Sequence, residues 1–226
     1  MNEDLPIEQR LTASKGWIGV MVAVVATLLF ALIIAGLFAL AGDSDTDSHG
    51  FQFVATFAGD AALVLTAYYM TADLGRPTWS TFGFRPFKSS AFGWILVAFV
   101  GYLALSAVYT VLVNPPPEDL PEQLGADESV LLAIVTGLFV VVVAPLAEEF
   151  FFRGFLFQAF RNSWGFVPGA AGSALVWAGI HFEPDKLVPL FILGIALAWL
   201  FRKTDSLWPC IMLHALNNAL AFAVTF

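Results

Sequence analysis

The sequence predicts an all-α integral membrane protein, a helix bundle with about seven transmembrane helices and a long, kinked fourth helix. Composition is the first reason, because 59% of the 226 residues are hydrophobic and only 12% are charged. Soluble domains are roughly 45–50% apolar and about 25% charged. The second reason is a series of apolar runs, most of them long enough to cross a bilayer. The runs are residues 17–41, 51–71, 91–113, 129–160, 166–182, 187–201 and 206–226.

The third reason is the alternation of basic residues between the apolar runs. Alternate connections carry all of the ten Lys and Arg residues except Lys186. The positive-inside rule therefore places the N-terminus in the cytoplasm and the C-terminus outside, and we expect the cell membrane as the location. The net charge of −8 argues against nucleic-acid binding, which requires basic surfaces. The bilayer itself is the expected partner.

The chain divides into a cytoplasmic tail at residues 1–16 and a single transmembrane domain at residues 17–226. Within that domain, residues 129–226 carry the motifs described below. The first apolar run ends with Ala39-Leu40-Ala41, which resembles a signal-peptide cleavage site. The run is longer than the roughly 7–15 apolar residues of a signal peptide. We therefore expect a retained first span, with cleavage as the alternative.

Two adjacent carboxylates interrupt the fourth apolar run. Glu149 and Arg153 are separated by four residues, so they share one helix face and are expected to pair. Glu148 is rotated by about 100° from that face and is left to meet something else. Pro145 lies just before it, and a kink there would open a cavity beside Glu148. The alternative is that both carboxylates simply flank the cytoplasmic end of a span.

Two further pairs of residues place polar side chains on the later apolar runs, Trp177 with His181 and His214 with Asn218. His181 follows Trp177 by four residues, and taken alone it is more often a hydrogen-bonded core histidine than a catalytic one. His214 and Asn218 share one face of the final helix. Two polar groups at membrane depth need hydrogen-bond partners. Hydrogen bonds between helices explain their presence as well as a catalytic role does.

Taken together, these residues are sufficient to activate water against a carbonyl group. Glu148 with His181 would hold and deprotonate a water molecule. His214 and Asn218 would donate hydrogen bonds to the developing oxyanion. Alternatively, Glu148, His181 and His214 would bind Zn²⁺ and leave one position open for water. The chain has no His-Glu-x-x-His motif, so we expect no certain cofactor and keep zinc as a candidate.

At these residues the sequence resembles the CAAX-processing and bacteriocin-related family of intramembrane proteases, also called the Abi family. The family's first motif, two Glu and then Arg after three residues, is complete at Glu148 to Arg153. Its second motif has an aromatic Phe and then His, and here Trp177 replaces Phe while His181 is kept. The third motif matches His214 and Asn218. The resemblance covers roughly residues 129–226.

The resemblance implies a role for each motif residue. Glu148 would be the catalytic carboxylate, and Glu149 and Arg153 would orient it. His181 and His214, together with Asn218, would complete the site. The family is described both as metalloproteases and as metal-independent proteases that use a glutamate. The Trp177 replacement keeps an aromatic wall, so it affects the expected shape of the pocket more than the expected activity.

The placement of these residues in the membrane imposes a geometric condition. Simple counting puts Glu148 in the cytoplasmic half of the fourth span and His181 near the outer end of the fifth. They meet only if the fourth helix is long and the 182–186 turn is recessed. We therefore predict a water-filled cavity at membrane depth, where non-helical backbone is tolerated. Asp60 either pairs within the bundle or lines this cavity.

The expected function is an intramembrane endopeptidase of the CAAX protease type. Its substrate would be a membrane protein or a prenylated or otherwise lipidated peptide. A second hypothesis is a non-catalytic membrane scaffold or immunity-type protein that uses the same polar residues for packing or partner binding. A third is a small transporter with Asp60, Glu148 and Glu149 as proton-coupled groups, which the lack of an internal repeat disfavours.

Overall fold

The computed structural model describes residues 5–42, 44–115, 123–126 and 128–225. These residues form helices and turns, and no β-strand occurs among them. Six of the helices are long and apolar enough to cross a membrane, and a seventh is shorter. The all-α prediction with about seven membrane helices is therefore confirmed. The helices are α1 (Ile7–Arg10), α2 (Ala13–Leu40), α3 (His49–Ala72), α4 (Ser90–Val113), α5 (Val130–Trp164), α6 (Phe166–Gly179), α7 (Leu187–Thr204) and α8 (Leu207–Thr225), with 3₁₀ turns at Trp79–Phe82 and Pro184–Lys186.

Helix α5 is the longest element and carries the two carboxylates. Its 35 residues extend over about 52 Å at 1.5 Å per residue, well beyond a hydrocarbon core of about 30 Å. The condition that the fourth helix be long is therefore met. Two π-helical segments, Phe139–Val143 and Phe152–Phe157, flank an α-helical segment at Ala144–Phe151. Such segments are frequent at functional sites, and here they enclose Glu148 and Glu149.

Each π-helical segment has an amide side chain bonded to one of its carbonyl groups. Asn218 of α8 donates through Nδ2 to the Val140 carbonyl oxygen at 3.0 Å. Gln158 donates through Nε2 to the carbonyl oxygen of Gly154. Irregular helix geometry at membrane depth requires such partners, because lipid offers none. These bonds therefore help to hold the irregular parts of α5 in place.

Residues 149–160 of α5 are buried on every side. This stretch packs against α2, α3, α6 and α7, and an all-round apolar surface is typical of a helix in this position. Glu149, Arg153 and Gln158 are the exceptions to that apolar surface. The phenylalanines buried along it are Phe150, Phe151, Phe152, Phe155, Phe157 and Phe160.

Ion pairs tie the helix ends together on the side that carries most of the basic residues. Arg85 donates to Glu8 at 2.9 Å and to Asp205 at 2.8 Å, which joins α1 to the turn between α7 and α8. Lys15 of α2 lies 2.7 Å from the Asp73 carboxylate at the end of α3. The hydrogen bond and positive charge of Lys15 lower the pKa of Asp73. The division at residue 16 between tail and domain stays a prediction, and residues 1–4 lie outside the described part.

Helix α6 is too short to cross the hydrocarbon core. Its 14 residues extend over about 21 Å, compared with about 30 Å of hydrocarbon. The 3₁₀ turn Pro184–Lys186 follows it, and Tyr109 of α4 donates its hydroxyl hydrogen to the Asp185 carbonyl oxygen at 2.6 Å. The short helix, and the hydrogen bond that attaches the following turn to α4, agree with the prediction that the connection at residues 182–186 is recessed.

Candidate active site

Glu149 and Arg153 form the ion pair that their spacing predicts. Arg153 donates through Nη1 to Glu149 Oε1 at 2.8 Å, and the two side chains are 1% and 0% exposed. His214 of α8 places its Nδ1 3.0 Å from the same oxygen. A carboxylate only accepts hydrogen bonds, so Nδ1 must carry the hydrogen. We call Glu149, Arg153 and His214 the buried ion cluster.

The buried ion cluster also bonds α5 to α7. Arg153 donates through Nη2 to the Gly194 carbonyl oxygen at 3.4 Å. Its guanidinium carbon lies 4.8 Å from the centre of the Trp177 ring, a distance at which a cation is attracted to an aromatic face. Glu149 Oε2 and Arg153 Nε have no hydrogen-bond partner among the described residues. Because its charges are shielded from solvent, removing one member leaves the others uncompensated.

Glu148 faces a different environment from its neighbour Glu149. It lines a cavity of about 360 Å³ between α2, α3, α5 and the end of α6. Trp177 donates its Nε1 hydrogen to Glu148 Oε2, which leaves Oε1 for another partner. The prediction that Glu148 is left to face something else is confirmed. The cavity is lined by Val20, Ala23, Val24, Thr27, Leu28, Ala55, Thr56, Gly59, Asp60, Leu63, Glu148, Phe152, Ile180, His181 and Phe182.

His181 lines the same cavity as Glu148, as the sequence requires. Its Nδ1 lies 2.7 Å from the Trp177 carbonyl oxygen. Since a carbonyl oxygen only accepts, Nδ1 carries the hydrogen and a neutral ring keeps a lone pair on Nε2. The cavity therefore brings together a carboxylate and an imidazole nitrogen, both able to accept a proton from water.

Trp177 separates the cavity from the buried ion cluster. Its ring centroid lies 5.3 Å from the ring centroids of both His181 and His214, edge to face in each case. Its Nε1 bonds Glu148, while its ring lies under Arg153. Sequence reasoning treated Trp177 only as a wall and missed its role as a hydrogen-bond donor. The departure from Phe in the family motif was the signal that could have shown it.

Asn218 lies apart from the cavity. It is absent from the cavity lining, and its Nδ2 is bonded to Val140 in α5. Asn217 donates to its Oδ1 at 3.3 Å. His214 is likewise not part of the cavity lining, because it faces Glu149. The geometry thus separates the predicted site residues into a cavity pair, a buried cluster and one interhelical amide.

Asp60, for which the sequence left two explanations open, lines the cavity beside Glu148 and His181. It comes from α3 and is 8% exposed. Its Oδ2 has no hydrogen-bond partner among the described residues. The same cavity therefore contains a second carboxyl group.

The three residues named for zinc do not converge. In the described ranges, no three His, Cys, Asp or Glu side chains lie close enough to hold a metal ion. The buried position of His214 behind Trp177 explains this, because its Nδ1 is bonded to Glu149 and its ring does not reach the cavity. The residues present do not fit a three-ligand zinc centre, so no step below uses one. Zinc dependence itself stays an untested prediction.

Comparison with known families agrees with this geometry. The model of Rce1-like type II CAAX prenyl endopeptidases matches residues 130–220. The resemblance is confirmed. The matched region contains every motif residue from Glu148 to Asn218, and it begins at the first residue of α5. The helices that supply the other walls of the cavity, α2 and α3, lie outside the match.

Two curated relatives are also similar to the chain. An "Uncharacterized 24.3 kDa protein" of Escherichia coli is 28% identical over 127 residues, covering 54% of this chain and 57% of the relative. The "Putative membrane peptidase YdiL" of Bacillus subtilis (strain 168) is 24% identical over 127 residues, covering 56% of this chain and 51% of the relative. The chain thus spans just over half the length of these relatives. No solved structure matches the chain.

Proposed function

We propose that the chain is an intramembrane endopeptidase that cleaves a membrane-bound or lipidated protein within the cavity. The observation that carries this proposal is the divergence of the two adjacent carboxylates. Glu149 is fully enclosed by Arg153 and His214, whereas Glu148 faces open space beside His181. Glu148 accepts one hydrogen bond, from Trp177, and a carboxylate that keeps its other oxygen free in a cavity at membrane depth requires another explanation. Family and relatives support a membrane protease.

In the first step, Glu148 accepts a proton from a water molecule held between it and His181. The Trp177 N–H fixes Oε2, so Oε1 is free to act as the base. The Nε2 lone pair of His181 accepts the second hydrogen of the same water and orients it. General-base catalysis of this kind contributes about 10²–10⁴-fold to the rate. The resulting hydroxide attacks the scissile carbonyl carbon.

In the second step, a hydrogen-bond donor stabilises the oxyanion. With its Nδ1–H directed at Glu149, His214 can donate from Nε2 only when both ring nitrogens carry a hydrogen. Asn218 keeps one further amide hydrogen beyond the one bonded to Val140. The Trp177 ring stands between His214 and the cavity and Asn218 is bonded to Val140, so this role requires both side chains to be uncovered after Glu148 has taken the proton. Glu148 then passes its proton to the leaving amine.

The substrate we propose is a prenylated or otherwise lipidated peptide. The matched family is named for CAAX prenyl endopeptidases. In this chain most of the cavity lining is aliphatic or aromatic, which suits a peptide with an apolar attachment. The polar groups of the lining are few, as expected of a site that orients one bond.

We further propose that the chain lies in the cell membrane with its N-terminus in the cytoplasm. The basic residues Lys15, Arg85 and Arg202 belong to connections on the same side by the positive-inside rule. Reporter fusions placed at residue 45 and after residue 225 should give external signals, while a fusion at residue 76 should give a cytoplasmic one. The reverse pattern would contradict this orientation.

The test of the proposed function is a comparison of protein termini in cell membranes. Cells expressing the wild-type chain are compared with cells expressing Glu148→Gln at matched abundance. We expect a defined set of new termini in the wild type that is absent from the variant. Because Gln keeps an acceptor for the Trp177 N–H, the variant should accumulate normally. Identical termini in both membranes would contradict the proposal.

A scaffold or immunity-type function is the second candidate, and one observation favours it. Glu149, Arg153, His214 and Asn218 all make bonds between helices or within α5. On this account the motif residues hold the bundle together and Glu148 contacts a partner. If the chain is a scaffold, Glu148→Gln should change the phenotype of the cells while the set of protein termini in their membranes stays the same as in the wild type.

A further inference from the structure

Among the described residues, Asp60 carries a buried carboxyl group to which the proposed mechanism gives no role. It lies midway along α3 and is 8% exposed. A carboxyl group at such a position is costly unless it has a partner or a function. Its Oδ2 finds no hydrogen-bond donor or acceptor in the described part of the chain. No hydrogen bond between helices through Oδ2 therefore offsets the free-energy cost of burying Asp60.

The surroundings of Asp60 favour the neutral carboxyl group. The described lining of the cavity contains no Lys or Arg, so no fixed cation compensates a charge there. Glu148 lines the same cavity, and two carboxylates in one apolar space repel each other. With the catalytic Glu148 ionised, Asp60 is left to hold its proton. A neutral carboxyl group is both a hydrogen-bond donor and an acceptor.

We propose that Asp60 binds the backbone of the substrate, pairing with the N–H and C=O of one residue next to the scissile bond, which point to the same side of an extended strand. The carboxyl O–H donates to that residue's carbonyl oxygen and the carboxyl C=O accepts from its N–H, and the enclosed Oδ2 turns into the cavity when the substrate binds. An extended peptide in a lipid-like cavity needs such partners, because no water competes for its N–H and C=O groups. The proposal rests on the proposed function and adds to it a binding residue from α3, outside the matched family region.

Other polar groups in the cavity are less suited to this task. The Thr56 hydroxyl already donates to the Gln52 carbonyl oxygen at 2.8 Å within α3. His181 is bonded through Nδ1 and is assigned to the water. Glu148 accepts from Trp177. Among the carboxyl and imidazole groups of the lining, Asp60 is thus the one whose hydrogen-bonding capacity the rest of the mechanism does not use.

The first experiment profiles membrane termini for Asp60→Leu, Asp60→Asn and the wild type at matched abundance, with Glu148→Gln alongside. Asp60→Leu has similar bulk and no polar atoms, so we expect the termini that depend on Glu148 to fall at least tenfold. Asp60→Asn keeps one donor group and one acceptor and should stay within about threefold of the wild type. Thr66→Val is the control, because Thr66 is buried on the same helix but does not line this cavity.

The second experiment separates binding from folding. A peptide that spans a cleavage site found in the first experiment is presented to purified protein in liposomes. Asp60→Leu should raise KM at least tenfold and change kcat less, since it removes binding rather than the base. A purely structural role would lower the amount of active protein and leave KM unchanged. That result would overturn the assignment of Asp60.

The outcomes distinguish this proposal from the proposed function. If Glu148→Gln loses termini and Asp60→Leu does not, Asp60 is not a substrate-binding residue, while the protease stands. If the Glu148-dependent termini fall as far in Asp60→Asn as in Asp60→Leu, the two-point pairing is wrong. If Glu148→Gln itself loses nothing, both proposals fail together.

Discussion

Glu148 and Glu149 are neighbours in the chain, yet they lie in opposite environments. Glu149 is enclosed by an arginine and a histidine and has no exposed surface. Glu148 is bonded to one indole N–H and borders a cavity of about 360 Å³. The helix itself causes this difference, because consecutive residues project about 100° apart. One face of α5 meets α7 and α8, and the adjacent face meets the gap beside α2 and α3.

The comparison teaches that one dipeptide can supply both a structural and a chemical carboxylate. On the packed side, Glu149 is paired with Arg153 and His214, and the two atoms left without a hydrogen bond, Glu149 Oε2 and Arg153 Nε, are closed off from the cavity and from solvent. On the cavity side, hydrogen-bonding groups are left over, at Glu148 Oε1, His181 Nε2 and Asp60. A change on the packed side should therefore affect stability first, whereas a change on the cavity side should affect turnover first.

After Glu148→Gln, the largest effect is expected for His181→Gln on the cavity side. Gln keeps hydrogen-bonding capacity but places its acceptor differently from Nε2, so the water that Glu148 deprotonates is no longer oriented and the cleavage rate should fall by about 10²-fold. The melting temperature in detergent should stay close to that of the wild type. Wild-type turnover by this variant would remove His181 from the mechanism. A large loss of stability would place His181 with the packed side.

On the packed side, Arg153→Met should destabilise the protein by about 3–5 kcal/mol, because it leaves the Glu149 charge buried without its cation. Denaturant unfolding in micelles measures this loss. The double variant Glu149→Gln with Arg153→Met removes both charges and keeps an acceptor for His214. It should recover a large part of the stability. Additive losses in the double variant would show that the pair is not coupled.

Glycine substitutions compare the packing of the two sides directly. A Cβ at Gly194 would lie 2.7 Å from Ala174 Cβ and 3.0 Å from its Cα, so Gly194→Ala should cost about 1–3 kcal/mol through overpacking. At Gly59, on the cavity side, a Cβ would lie 3.5 Å from Thr27 Cγ2, an ordinary contact. Thermal unfolding of Gly59→Ala should show no loss. Equal losses would contradict the contrast in packing.

A smaller effect is expected for Trp177→Phe, which restores the aromatic residue of the family motif. The ring remains between the two histidines, but Glu148 loses its N–H donor. We expect cleavage to fall about tenfold, since a hydrogen bond to a charged group is worth about 1.5–3 kcal/mol and part of that is recovered by water. Kinetics on the purified variant measure the change. Unaltered kcat would show that the indole N–H does not position Glu148.

The smallest expected effect is that of metal chelation. Since Glu148, His181 and His214 do not converge, prolonged dialysis against EDTA should leave the cleavage rate within about twofold of the untreated protein. Elemental analysis of the dialysed sample provides the control. Loss of activity on dialysis, with recovery on adding Zn²⁺, would support the zinc alternative.

The lengths of the apolar runs were sufficient to predict the membrane helices. The Glu149–Arg153 pair followed from their spacing of four positions, since the helix fixes the relative position of two such side chains. The separation of Glu148 from that pair follows from the same geometry. The same is true of the long α5 and the recessed turn, which the apolar run lengths require. For these features, the residues that determine the structure lie close together in the sequence.

Interactions between helices that are distant in sequence could not be predicted. Glu149 and His214 are 65 residues apart, and their contact depends on how α8 docks against α5. The Asn218 bond to Val140 depends on a π-helical segment, for which an apolar run of valines gives no signal. His214 and Asn218 do share a helix face, but they reach different partners. Their predicted oxyanion role stays a prediction for that reason.

Glu148 acts in catalysis while Glu149 holds the structure, and a paired measurement on the two carboxylates checks this division of roles. Glu148→Gln and Glu149→Gln are purified in parallel, and the cleavage rate and the unfolding midpoint are measured for each. We expect Glu148→Gln to lose about 10²–10⁴-fold in rate with a wild-type midpoint. We expect Glu149→Gln to unfold far more easily. Wild-type cleavage by Glu148→Gln, or a normal midpoint for Glu149→Gln, would contradict the account.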